Sequence, residues 1–131
     1  MNDFTSEQIL KYIQERYKTV RMLGIYIVDL FKSQDLIATT SEFGQITGVL
    51  IFRKVKLTEY NDLDRTSHNE KGDTAFVVEC CADGKKELAM LAKQMEQRLG
   101  KVKHIGMHRR GRLHFYDYNK YLNKLLGKDR L

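Results

Sequence analysis

The sequence contains no tryptophan, no proline and only two cysteines, which stand side by side as Cys80 and Cys81. Adjacent cysteines inside an apolar run cannot lay out a disulfide framework, so reduced, packed thiols are expected. No apolar run approaches the roughly 20 residues that cross a bilayer, so no membrane partner is expected. The opening Met1-Asn-Asp-Phe-Thr-Ser-Glu7 lacks the basic-then-apolar pattern of a secretion signal. Together these features lead to the expectation of a cytoplasmic protein. No Gly-x-Ser-x-Gly, Walker loop or double-glycine dinucleotide fingerprint occurs, and no catalytic triad can be assembled. His104, His108 and His114 are separated by three and five residues. That spacing matches no zinc pattern and no cysteine pair accompanies it, so no metal is expected. Neither a repeat nor a linker divides the 131 residues, and a single domain over 1–131 is expected.

What is present is unevenly charged. The net charge is +6, yet residues 1–100 hold 14 basic and 15 acidic side chains. From Lys101 onward nine Lys or Arg face only Asp117 and Asp129. A basic last quarter points to a local anionic partner, such as a phosphate-bearing cofactor, nucleic acid or an acidic protein face, or else to a solvated cationic rim.

The chain is organised around residues 73–100. Ala75-Phe-Val-Val-Glu-Cys-Cys81 reads as a strand buried on both faces. Asp83-Gly84 breaks it. Leu88, Leu91, Ala92, Met95 and Leu99 then recur at the spacing of an amphipathic helix over 85–99, with Asp83 as expected cap and Gly100 as stop. A buried strand feeding a helix leaves backbone N–H groups at the strand's carboxyl end, where an anion is welcome.

Upstream, Thr5-Ser-Glu-Gln8 forms a capping box that opens a helix ending near Lys18. The apolar run 21–33 has no period that separates helix from strand, and a second helix is expected there. Residues 36–40 and 46–55 read as a β-hairpin turning at Gly44. The polar stretch 56–72 reads as an exposed loop insertion. Downstream, 101–107 and 113–116 read as strands joined by a basic turn, Arg109-Arg-Gly-Arg112. Asp117 then caps a last helix over 118–126. The order implies a mixed α/β layer on a largely antiparallel sheet, with helices on both faces.

The run Gly44-Gln-Ile-Thr-Gly-Val-Leu-Ile-Phe52 and the strand, turn and helix of Thr74–Gly100 resemble the GNAT superfamily of acyl-CoA-dependent N-acyltransferases. With the strand that follows, the resemblance covers about half the chain. It implies two central strands, here 75–81 and 101–107, that splay to admit the pantetheine arm of acetyl-CoA or another acyl-CoA. It also implies a phosphate-facing turn, which here is Cys81, Ala82, Asp83, Gly84, Lys85 and Lys86. The turn departs from the family's pattern: it carries one glycine and an acid, offset by Lys85 and Lys86. A basic hairpin also stands where the family places a helix bearing an acid-donating Tyr.

Transfer of an acyl group to an amine, here of unknown identity, needs a base and an acid. Glu79, an acid in an apolar strand, is the candidate base, because burial raises a carboxyl toward neutrality. Tyr116 is the candidate acid, with Tyr118 beside it. Cys80 and Cys81 have no basic neighbour in sequence and read as inert thiols. The alternative reading is a nucleic-acid- or assembly-binding accessory protein, of the kind phages carry, using Lys101, Lys103, Arg109, Arg110 and Arg112 with the aromatics that follow. A structural subunit contacting its assembly through 21–31 is a third reading.

Overall fold

The computed structural model describes residues 4–16, 36–56, 71–109 and 112–127. The expected helix over 21–33, most of the 56–72 loop and Arg110 lie outside the described residues. Helix α1 (Ser6–Arg16) opens on the expected capping box. The Gln8 amide donates to Thr5 Oγ1 at 3.1 Å and the Thr5 amide to Gln8 Oε1 at 2.8 Å, which satisfies two amides at the helix start. Strands β1 (Leu36–Thr40) and β2 (Ile46–Val55) form an antiparallel hairpin. Its turn uses Gly44 at φ +79, a left-handed conformation that glycine adopts without a Cβ clash.

Next come β3 (Thr74–Ala82), α2 (Lys85–Leu99), β4 (His104–Arg109), β5 (Arg112–Asp117) and α3 (Tyr118–Leu126). The five strands lie in chain order in one sheet, antiparallel throughout except for the parallel β3/β4 pair. Helix α2 makes the crossover that a parallel pair requires. Helix α3 starts as expected, with Asp117 Oδ1 accepting from the Lys120 amide at 2.9 Å.

Helices cover both faces. On one, Ile9, Leu10, Tyr12 and Ile13 of α1 pack on Leu36, Ala38, Val49, Ile51 and Cys81. On the other, Leu91, Ala92 and Met95 of α2 and Tyr118 and Leu122 of α3 pack on Ile37, Leu50, Phe52, Ala75 and Ile105. β3 is sandwiched between the two clusters, which is why its sequence is nearly continuous in apolar residues rather than alternating.

Two expectations need correction. The fourth strand is His104–Arg109, not 101–107. Val102 is buried as part of the connection, and the Lys103 and His104 amides both donate to Asp73 O, so strand pairing begins only beyond that anchor. The cap of α2 is Gly84 rather than Asp83, and no side chain closes that helix start.

Two irregularities lie along β3. Ile51 faces Glu79 and Phe52 faces Val77, so Val78 is an extra residue in β3 with no partner on β2. Such a bulge bends its strand and sharpens the local twist. The β3/β4 ladder runs from the Thr74/His104 pair to the Val77/Met107 pair and stops there. Beyond the bulge, Val78–Ala82 continue without pairing to β4. The last two residues of β4, His108 and Arg109, are likewise unpaired with β3, so the two strands are unpaired at their carboxyl ends.

Candidate functional site at the open end of the parallel pair

Because β3 and β4 are parallel, their carboxyl ends share one edge of the sheet. The turn Cys81–Lys86 and the Arg109/Arg112 end of the β4/β5 hairpin therefore lie at the same end of the sheet. Gly84 sits at φ −163, ordinary extended backbone, and α2 begins immediately after it. The Asp83 amide is held by Thr47 O at 2.9 Å, which ties the turn to β2. The first-turn amides of Lys85, Lys86 and Glu87 have no side-chain cap and carry the positive end of the helix dipole. Lys85 and Lys86 are exposed. Glu87 folds back over the helix start, its Oε1 only 3.1 Å from where a Cβ on Gly84 would lie.

Asp83 turns toward α1. Its Oδ1 accepts from Tyr12 Oη at 2.8 Å and from Arg16 Nε at 2.7 Å. The Arg16 guanidinium lies 3.6 Å over the Tyr12 ring and also donates to Tyr12 O at 3.2 Å. Arg16's hydrogen bond holds the Asp83 carboxyl below its ordinary value. Burial, aided by the bond to Asp83, raises the Tyr12 phenol well above its own. The acid that would repel a phosphate is thus matched by a cation from α1, and the turn is pinned to that helix.

Glu79 faces the α1 side, opposite Ile51 and next to the bulge. Its carboxyl makes no hydrogen bond or ion pair with any described residue, and burial alone pushes that carboxyl up. Tyr116 lies on the other face, opposite Ile105. Its ring is stacked between His114 at 6.0 Å and Tyr121 at 5.4 Å, and its hydroxyl accepts from Arg109 at 3.3 Å. The candidate base and acid therefore stand on opposite sides of the sheet. Tyr118 is fully buried and donates to Gly100 O at 3.5 Å, a packing role. Burial pushes the Cys80 thiol up to about 12 and raises Cys81 too, so neither is a thiolate at neutral pH.

The basic cluster of the sequence is divided in space. Lys101 and Lys103 precede β4, whereas Arg109 and Arg112 lie at its far end. Six residue steps of extended chain separate Lys103 from Arg109, about 20 Å. His104 and His108 share one face of β4, and His114 projects from the other, beside Tyr116. Sequence reasoning missed Tyr12, Arg16 and the part Tyr121 plays beside Tyr116. The i, i+4 spacing of Tyr12 and Arg16 was the one available signal for the first two. Among the described residues, no helix is long and apolar enough to cross a membrane. No family model, curated protein or solved structure matches this chain.

Proposed function

We propose that the protein is a GNAT-like N-acyltransferase, or a binder descended from one, that takes acyl-CoA at the open end of β3 and β4. The observation that carries the reading is the end of the β3/β4 ladder at Val77/Met107, with an uncapped helix start just past the carboxyl end of β3. A gap bordered by unpaired strand backbone suits the amide-rich pantetheine arm, because each of its amides finds a main-chain partner. The amides of Gly84, Lys85 and Lys86 suit a pyrophosphate, with the Lys85 and Lys86 ammonium groups alongside. Cys81 and Ala82 lead the strand into that turn, and Asp83 anchors it through Arg16. Arg109 and Arg112, at the far lip, suit a further phosphate of the coenzyme.

For transfer, Glu79 accepts the proton of the attacking amine as the C–N bond forms. The C–S bond breaks, and Tyr116 protonates the departing thiolate. A carboxyl raised by burial is the right kind of base for an amine near neutral pH.

The test is calorimetric titration with acetyl-CoA, alongside Gly84→Val. An extended φ and a single flexible neighbour, the Glu87 carboxylate, let valine fit the backbone without unfolding it. The variant is expected to lose coenzyme binding while keeping its melting temperature within a few degrees. Unchanged affinity would dismiss the placement of the pyrophosphate. If millimolar acetyl-CoA gives no heat while RNA or DNA binds with a steep salt slope, the nucleic-acid reading takes its place.

A further inference from the structure

Between the sheet and the two helices on the Tyr116 side lies a partly open cavity of about 60 Å³. Val77 and Met107 line it, and they are also the last paired residues of the β3/β4 ladder, so the cavity begins where the strands part. Leu91 of α2 and Tyr121 of α3 enclose it from the helix side. Its polar atoms are few. The Tyr121 hydroxyl is engaged by Met107 Sδ at 3.6 Å, and Cys80 contributes a protonated thiol. A space with so few hydrogen-bond partners holds water poorly and suits alkyl groups.

Resting on the acyl-CoA reading above, we propose that this cavity receives the alkyl tail of a short acyl group, so that propionyl and butyryl thioesters are preferred to acetyl. Its position fits: a thioester lying between the parted strands has Glu79 on one side of the sheet and this cavity on the other. Its size sets the length. Benzene occupies an apolar cavity of about 150 Å³, about 25 Å³ per carbon. The 60 Å³ found here therefore takes roughly two or three carbons by the same scale. These are the carbons beyond the carbonyl in propionyl and butyryl groups. An acetyl methyl leaves most of the space empty, and a hexanoyl tail exceeds it.

The experiment is calorimetric titration of the full chain with CoA and with acetyl-, propionyl-, butyryl- and hexanoyl-CoA. Burying each added methylene is expected to tighten binding about four-fold up to butyryl, with no further gain at hexanoyl. Leu88→Phe, at a half-buried position on the wall, fills the space and is expected to erase the preference while leaving CoA itself bound as before. Leu125→Ala, on the α3 wall, enlarges it and is expected to move the optimum to longer chains, which keeps the test intact if the first variant fails to fold. Equal affinity for all five ligands in the unmodified protein would overturn the cavity assignment and leave the coenzyme reading standing. A length preference unaltered in both variants would overturn it as well. No binding of any of the five would overturn both.

Discussion

Replacing Asp83 with asparagine separates two accounts of the turn before α2. Were Asp83 the helix cap, the amide would serve nearly as well and stability would hardly change. In the structure both neighbours, Tyr12 Oη at 2.8 Å and Arg16 Nε at 2.7 Å, converge on one carboxylate oxygen. The Asp83→Asn side chain keeps an acceptor but loses the charge. Bonds to charged groups contribute about 1.5–3 kcal/mol when sheltered, and exposed ion pairs about 0.2–1. The Arg16 and Asp83 side chains are 32% and 38% exposed, so solvent screens the pair and the lower part of that span applies. A loss of about 1 kcal/mol is expected, which for a domain of this size lowers Tm by roughly 3–6 °C. The pH dependence follows from the sign of the shift. Asp83 has a depressed carboxyl, so its contribution is present above the unfolded value of 3.8 and is lost as pH falls through the lower folded value. Thermal melts of the two proteins at pH 7 should therefore differ, and the difference should vanish in strong acid. Equal Tm at pH 7, or a gap as wide in strong acid as at neutrality, would refute the clamp.

Glu79→Gln should move stability and activity in opposite directions. The carboxyl is raised by burial, so its contribution is fully present below the unfolded value of 4.5 and lost as pH rises through the raised folded one. The Gln variant should therefore gain on the parent protein as pH rises above the unfolded value of 4.5 in denaturant melts, while the proposed transfer falls about 10²–10⁴-fold with Glu79 as the base. Glu87→Gln removes a carboxylate lying over the helix start, and should tighten acetyl-CoA binding about two- to five-fold at low salt, as read by titration. Gly106→Ala would place a Cβ 2.5 Å from the Phe115 ring. It should cost about 1–3 kcal/mol, and a double-mutant cycle with Phe115→Ala should recover most of that loss. Cys80 should resist alkylation in the native protein at pH 8 and react only on unfolding, as followed by mass shift.

The elements legible in the sequence are those whose signals are local. The Thr5/Gln8 capping box, the Asp117 cap, Gly44 at the hairpin and Gly100 after α2 each act within about four residues, and each stands where the sequence puts it. The mixed, largely antiparallel sheet with helices on both faces follows from the order of those signals. Asp83 reads as a cap from sequence because its true partners lie 71 and 67 residues away, and an Asp before a helix suits a cap equally well. The cations over 101–112 read as one patch because proximity in sequence says nothing about the two ends of a strand. The start of β4 lies three residues later than the apolar pattern suggests because Val102 is buried without being paired.

The bulge at Val78 links the remaining observations. Strict alternation from Val77 would send Val78 and Cys80 to the α1 face and Glu79 to the α2 face. The extra residue resets that alternation. Val78 joins the α1 packing cluster, Glu79 stands opposite Ile51 on the same face, and Cys80 falls on the cavity wall. The same residue marks where β3 stops pairing with β4. One inserted residue therefore stands where the β3/β4 pairing ends, with a carboxyl on one side of the sheet and an apolar cavity on the other. Deleting Val78 restores regular pairing with β2: Val77 stays opposite Phe52, and Glu79 stays opposite Ile51 on the α1 face. The strand loses its bend, so the β3/β4 ladder should extend toward the Cys81 turn, seen as slowed amide exchange beyond Met107. The proposed coenzyme binding, read by titration, should be lost if pairing extends this way, although every residue assigned to it keeps its place in the sheet. A deletion variant that still binds acetyl-CoA with the parent's affinity would show that the opening does not depend on the bulge.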